Sequence, residues 1–125
     1  MVDSGLIYSG SILRVRWMRF KGSYPAKAFL SGYREDFQAF LARAEEMGDF
    51  GRIAIDKKGH FLKGDYREIY EFKMPITRAF GFRDGNLFIV TNAARKTDTT
   101  KAQIPDYDRA LKLKADYLAR NHSDE

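Results

Sequence analysis

Basic side chains supply most of the chemistry that the sequence offers. The chain has 22 lysine and arginine residues against 17 aspartate and glutamate residues, giving a formal net charge of +5. Between Asp3 and Glu35 there is no acidic residue, but there are six basic ones: Arg14, Arg16, Arg19, Lys21, Lys27 and Arg34. Lysine and arginine attract polyanions, and one guanidinium can donate to two oxygens of a phosphate. The sequence therefore predicts a basic face suited to a polyanionic partner.

Other catalytic side chains are few. Because the chain has no cysteine, a cysteine nucleophile, a disulfide and a thiolate metal site are excluded. The two histidines, His60 and His122, are far apart, and the acidic residues lack calcium-loop spacing, so we expect no metal and no cofactor. His60 follows the basic pair Lys57 and Lys58, but we assign it no catalytic role.

The first half of the chain contains a predicted strand and a predicted helix. Apolar and basic side chains alternate over residues 12–20, which predicts a half-buried strand with Arg14 and Arg16 on its polar face. Ser31 is expected to cap a helix ending near Gly48, because six apolar residues recur at helical spacing: Tyr33, Phe37, Phe40, Leu41, Ala44 and Met47. Residues 49–64 are predicted to be mostly loop.

Three antiparallel strands and a helix are predicted in the second half. The β-rich segments are 66–74, 77–83 and 86–93, and Asp84 with Gly85 predicts a type I′ turn between the last two. Such a turn places Arg78 opposite Thr91. Pro105 is expected at the first position of a C-terminal helix, in which Tyr107 belongs to an apolar stripe. We expect one small α+β domain over residues 1–125, flexible at 1–11 and 121–125.

Several short motifs occur in a characteristic order from about Arg43 onward. They are Phe61-Leu62-Lys63-Gly64-Asp65, Ile69-Tyr70-Glu71-Phe72-Lys73, Thr77-Arg78-Ala79-Phe80, Arg95-Lys96-Thr97, and Arg109-Ala110 with Ala115-Asp116-Tyr117-Leu118. Their order and spacing resemble the RelE/HigB superfamily of toxin endoribonucleases, in particular its phage-derived, killer-protein-like branch. The resemblance implies an antiparallel or mixed four-stranded sheet, with an N-terminal helical segment and a C-terminal helix packed on it.

The resemblance also implies a function. It indicates the cytoplasmic toxin of a toxin–antitoxin pair, acting as a metal-independent, ribosome-dependent mRNA endonuclease (an mRNA interferase). The implied partners are mRNA, the ribosome and an antitoxin of the helix-turn-helix DNA-binding type, and no membrane is expected. RNA cleavage through the 2′-hydroxyl needs a base, an acid and stabilisation of charge on the phosphate, and a cluster of basic residues can supply these.

Four matched residues are the expected catalytic set. Arg78, on the central strand, would stabilise the developing charge, and Lys73, on the adjacent strand, would add a second charge or act as the base. Arg95 and Lys96 would hold phosphate where the last strand ends. The alternatives are structural: Arg78 paired with Glu68 or Glu71, and the remaining basic residues as solvated charges.

Five further basic residues are expected to bind RNA without reading its sequence: Lys57, Lys58, Lys63, Arg14 and Arg16. The arginines are equally suited to an acidic antitoxin segment.

Two departures from the family pattern favour a second interpretation. Lys73 stands where the family usually has arginine, and Thr91 stands where this branch often has histidine. Lysine keeps the charge but loses the planar two-pronged contact with phosphate. The alternative is therefore a catalytically inactive module of the same fold that binds RNA, the ribosome or a protein.

Overall fold

Six strands form one mixed sheet in the computed structural model, which describes residues 5–123 and the side chains of residues 5–120. In chain order they are β1 (Leu6–Ser9), β2 (Arg14–Trp17), β3 (Gly59–Phe61), β4 (Tyr70–Lys73), β5 (Thr77–Asp84) and β6 (Leu87–Arg95). The order across the sheet is β1-β2-β6-β5-β4-β3. Strands β2 and β6 are parallel, and the other neighbours are antiparallel. The α+β class is confirmed, but the predicted four-stranded sheet lacked the two edge strands, β1 and β3.

Helices cover both faces of this sheet. They are α1 (Pro25–Leu30), α2 (Arg34–Phe50) and α3 (Thr100–Ser123), and a 3-10 turn spans Gly64–Tyr66. On the first face, α1 and α2 pack on a core that includes Trp17, Phe40 and Phe72. On the second face, α3 packs on a separate core that includes Phe80 and Ile89. The sheet is thus sandwiched between two helical layers.

Strand β2 has the predicted alternation of side chains. Val15 and Trp17 are buried in the first core, while Arg14 is exposed and Arg16 is half-buried. The strand is shorter than the predicted 12–20.

The segment 1–11, predicted to be flexible, contains β1 at residues 6–9. Backbone contact with α2 explains the order, because a Cβ on Gly10 would lie 2.1 Å from the carbonyl carbon of Gly48. The Tyr8 hydroxyl also donates to the Asp49 carboxylate, at 2.9 Å. Residues 1–4 lie outside the described part of the chain. At the other end, α3 continues to Ser123, inside the segment 121–125 that was also predicted to be flexible.

The prediction that Ser31 caps α2 was wrong. Ser31 instead ends α1, where its hydroxyl donates to the Lys27 carbonyl at 2.7 Å. Helix α2 also continues past Gly48, where glycine serves close packing, because an added Cβ would lie 2.7 Å from the Tyr8 ring. The Gly48 carbonyl accepts the amide of Leu13 at 2.8 Å and anchors the β1–β2 turn. The helix ends at Gly51, whose φ of +74° is the left-handed conformation typical of a helix end.

The β5–β6 hairpin has a different register from the predicted one. Asp84 pairs with Leu87, so the loop residues are Gly85 and Asn86. Gly85 has a φ of +60° whereas Asn86 has no positive φ, which fits a type II′ turn rather than type I′.

A β-bulge in β6 shifts the register further. Phe80 lies opposite Asn92 but Gly81 lies opposite Val90, so Thr91 is the extra residue. Arg78 consequently lies opposite Ala94 and not Thr91. No local sequence signal marks this bulge.

Helix α3 begins at Thr100, which makes Pro105 an interior residue rather than the first one. The Thr99 hydroxyl accepts the Ala102 amide at 3.1 Å, as a helix cap does. The Gln103 side chain bonds both the Arg95 carbonyl and the Thr97 amide, at 3.0 and 2.9 Å. These bonds stabilise a turn ahead of the proline, which itself has no amide hydrogen.

Two boundaries near β4 also differ from prediction. Strand β3 lies within the predicted loop 49–64, where the Lys58 carbonyl accepts the Lys73 amide at 2.9 Å. The predicted strand 66–74 begins only at Tyr70, after the 3-10 turn. Across the described residues, no helix is both long enough and apolar enough to cross a membrane.

Candidate active site

A polar cleft opens on the second face of the sheet, between β4, β5 and the beginning of α3. Its volume is about 180 Å³, and its lining includes Glu71, Lys73, Arg78, Lys96, Thr100 and Tyr107. Three of the four predicted catalytic residues therefore line one cavity. Among the described side chains of residues 5–120, no group of three acidic or histidine residues is arranged to hold a metal ion.

Glu71 lies at the centre of the charged residues of this cleft. It is 5% exposed, and its carboxylate oxygens are each 3.9 Å from a cationic or ionisable partner, the Arg78 Nε and the His60 Nε2. Burial raises the pKa of the Glu71 carboxyl, and Arg78, Lys73 and His60 oppose that rise only partly. A carboxylate with a raised pKa is a stronger base than an exposed one.

His60 faces Glu71 because the two residues are paired across β3 and β4. Its Nδ1 lies 2.8 Å from the Phe61 carbonyl, which can only accept a hydrogen bond, so Nδ1 carries a proton. The other ring nitrogen, Nε2, is therefore the atom directed towards the carboxylate. The 3.9 Å between Nε2 and the Glu71 Oε1 is within the range of an ion pair but longer than a hydrogen bond.

Arg78 is fixed by the turn between β4 and β5. Its Nη1 donates to the carbonyls of Met74 and Thr77, at 2.6 and 2.9 Å. The buried Asp36 in turn holds this turn in place. Its Oδ2 accepts hydrogen bonds from the amides of Ile76 and Thr77 and from the Thr77 hydroxyl, at 2.7 to 2.9 Å. Asp36 from α2 thus positions the guanidinium on the opposite face of the sheet.

Lysines complete the positive charge of the cleft. Lys73 lies directly opposite Arg78 in the β4–β5 ladder. Lys96 follows β6, and its amide donates to the Ile76 carbonyl at 2.8 Å, which ties it to the same turn.

Arg95 does not join the cleft, contrary to its predicted role beside Lys96. It pairs with Thr77, while its neighbour Ala94 pairs with Arg78. Side chains alternate between the faces of a strand, so Arg95 projects from the face that carries α1 and α2.

The predicted RNA-binding lysines are only partly brought together. Lys57 and Lys63 line a groove with Lys73 and His60 that continues from the cleft past β3. Lys58 is exposed and borders this groove only through the backbone bond that it makes with Lys73.

Arg14 and Arg16 lie elsewhere. They pair with Leu87 and Ile89 of β6, on the far side of α3 from Arg78. Arg16 lines a separate pocket with Arg19 and Tyr117, so the expected extension of one groove through these arginines is not formed.

Three residues outside the predicted site lie in or beside the cleft, namely Glu71, His60 and Tyr107. Glu71 was considered only as a partner for Arg78, although its placement two residues before Lys73 puts both on one face of β4. Tyr107 is buried as predicted, and it also lines the cleft. The pKa of its hydroxyl is raised mainly by burial and further by the nearby charge of Glu71. Thr91 is fully buried, and its hydroxyl donates to the Phe80 carbonyl at 3.1 Å.

No family model, curated protein or solved structure matched the chain. The geometry of the cleft is therefore the basis for assigning a function.

Proposed function

We propose that this chain is a metal-independent endoribonuclease whose active site is the cleft around Glu71. The observation that carries the proposal is the buried carboxylate of Glu71, 3.9 Å from both Arg78 and His60, with Lys73 beside it. This arrangement combines a base, an acid and fixed positive charge, which are the three requirements for cleavage of RNA through its 2′-hydroxyl.

In the proposed reaction, Glu71 accepts the proton of the ribose 2′-hydroxyl. The 2′-oxygen then forms a bond to phosphorus, and the bond from phosphorus to the 5′-oxygen of the next nucleotide breaks. The leaving oxygen takes a proton from the Lys73 ammonium, which lines the polar cleft with Arg78, and the products are a 2′,3′-cyclic phosphate and a free 5′-hydroxyl. The raised pKa of Glu71 supports its role as the base. A carboxylate base replaces the lysine base that the sequence suggested.

The phosphate would bind where Arg78, Lys73 and Lys96 converge. Arg78 suits the role of stabilising charge because its guanidinium is already oriented by two backbone carbonyls. A group held in place before the reaction does not have to reorganise as charge develops, which is the main advantage of such sites.

The biological role that fits this activity is the toxin of a toxin–antitoxin pair that cleaves ribosome-bound mRNA. The support is the resemblance to RelE/HigB toxins, since Glu71, Lys73 and Arg78 of the cleft all belong to motifs that carry it. A cytoplasmic location and a helix-turn-helix antitoxin partner follow from the same proposal.

Tightly controlled expression in bacteria tests the proposal. Wild-type protein should arrest growth, and primer extension should map new 5′ ends in cellular mRNA, whereas Glu71→Gln at equal expression should do neither. Normal growth and intact mRNA in the presence of folded wild-type protein would overturn it.

A binding module without catalytic activity is the second candidate. It is favoured by Lys73 in place of arginine and by the bonds that commit Arg78 Nη1 to the backbone. Salt-sensitive RNA binding by wild-type protein, with no cleavage on or off the ribosome, would identify this function.

A further inference from the structure

The cleft has a second half with a different character. It lies beside the polar half, on the side towards β3, and has a volume of about 340 Å³. Its apolar walls are formed by Leu62, Tyr66, Ile104 and Tyr107. The polar half that holds Arg78 and Lys96 lacks the first three of these walls.

The two halves meet at the proposed catalytic residues. Glu71, Lys73, Thr100 and Tyr107 line both of them. A ligand that placed an anionic group beside Arg78 and a flat apolar group between the tyrosines and Ile104 would therefore extend across Glu71.

The apolar walls are held in place. The Tyr66 hydroxyl donates to Asp108 of α3 at 2.6 Å, and the Tyr66 and Tyr107 rings are in contact with centroids 5.4 Å apart. Tyr107 also packs edge-on against the buried Phe80. Rigid aromatic walls favour planar ligands because little side-chain freedom is lost on binding.

Polar groups stand at the rim of this half. Lys63 and His60 line it on the β3 side. Nucleobases present an apolar face for aromatic contact and polar edges for hydrogen bonds, and contact with aromatic side chains contributes strongly to their binding.

We infer that the apolar half is a nucleobase site, which receives the base of the nucleotide whose 2′-hydroxyl faces Glu71, while its 3′-phosphate occupies the polar half. The inference rests on the proposed function. Purines bury more apolar surface than pyrimidines and should bind more tightly.

Binding of small ligands separates this inference from the proposed function. By calorimetry, adenosine 3′-monophosphate should bind wild-type protein about tenfold or more tightly than inorganic phosphate, the scale expected for one base against aromatic side chains. Ile104→Trp, which fills the apolar half, should abolish the difference while phosphate still binds. Leu111→Trp is the matched control, because Leu111 is also half-buried on α3 but does not line the cleft.

Each outcome decides one of the two claims. If wild-type protein cleaves RNA but binds the nucleotide no more tightly than phosphate, the base site is wrong and the nuclease stands. Equal loss in Ile104→Trp and Leu111→Trp would also overturn the base site. If the wild type binds neither ligand and cuts no RNA, both claims fail.

Discussion

Burial of the Glu71 carboxyl has an electrostatic cost. Its burial raises the pKa of the carboxyl above the ordinary value near 4.5, so the folded protein holds this proton more tightly than the unfolded chain does. The stabilisation is fully present below the ordinary pKa and is lost as the pH rises through the raised one. Ionised Glu71 therefore destabilises the fold, although the proposed reaction needs this ionised carboxylate as its base.

Glu71→Gln should remove this pH dependence. The melting temperature of the variant minus that of wild type should increase as the pH rises from 4 towards neutrality. The reason is that wild type is destabilised when Glu71 ionises, whereas glutamine has no proton to lose. Thermal melts monitored by circular dichroism across this range measure the difference.

Glu68→Gln is a control of opposite sign. The hydrogen bond with Lys114 lowers the pKa of the exposed Glu68 carboxyl, so its small contribution is lost as the pH falls. A difference between Glu71→Gln and wild type that stays constant with pH would contradict the assigned environment of Glu71.

The pH dependence of cleavage should also report the ionisation of Glu71. If Glu71 is the base, single-turnover cleavage should slow as the pH falls below its raised pKa, since the protonated carboxyl cannot accept the 2′-hydroxyl proton. A rate that rises on acidification through that range would rule out Glu71 as the base.

At the scale of elements, the β4–β5 turn is the feature on which the site depends. Asp36 accepts three hydrogen bonds there, two of them from backbone amides. Asp36→Ala should destabilise the protein by about 3 kcal/mol, because it removes charge-assisted bonds and leaves buried donors unpaired. Urea denaturation measures this, and an unchanged midpoint would contradict the role of Asp36.

The β5–β6 turn gives a second prediction about an element. Gly85 has a φ of +60°, and no neighbouring atom would lie within 4 Å of an added Cβ, so only the backbone conformation opposes substitution. Gly85→Val should cost about 1 to 3 kcal/mol of unfolding free energy. Asn86→Val, at the loop position without positive φ, should cost less, and the reverse order would contradict the observed turn.

Elements could be predicted from sequence where a single local pattern determined them. The alternation of Val15 and Trp17 and the apolar spacing of Phe40 and Met47 led to β2 and α2, because each pattern reports burial of one face. Boundaries failed where a tertiary contact decided them. Gly48 lies inside α2, where an added Cβ would lie 2.7 Å from the Tyr8 ring, and no pattern in the helix itself encodes that contact.

The site followed the same division. Arg78 and Lys73 follow from the predicted adjacent strands, Lys96 from the predicted end of the last strand, and all three from the resemblance. The prediction for Arg95 failed because neighbouring residues of a strand project from opposite faces of the sheet. The surroundings of Glu71 depend on its pairing with His60 of β3, a strand that lies in the predicted loop.

At the scale of the whole molecule, the basic residues are divided between separate surfaces. The groove beyond the cleft contains Lys57 and Lys63, whereas Arg16 lines the separate pocket near Tyr117. Polyanion binding through the groove should therefore depend on a minority of the basic residues.

Salt dependence of RNA binding tests this distribution. Replacing Lys57 and Lys63 together with alanine should reduce the slope of log affinity against log salt by about one to two, since each phosphate contact with a single strand contributes about 0.7. Fluorescence anisotropy with a labelled oligonucleotide measures the slope. Lys58→Ala should change it less than either replacement in the groove, and equal effects would mean that binding depends on total charge alone.

Cleavage of ribosome-bound mRNA under single-turnover conditions tests the central claim most directly. Glu71→Gln keeps the shape of the side chain, and Arg78→Ala should be compared with Arg83→Ala, an exposed arginine on the same strand outside the cleft. Wild type and Arg83→Ala should cut at similar rates, while Glu71→Gln and Arg78→Ala should be slower by about 100-fold or more. Circular dichroism melts monitor folding, because Arg78→Ala also frees two backbone carbonyls. Cleavage by folded Glu71→Gln at the wild-type rate would contradict the account.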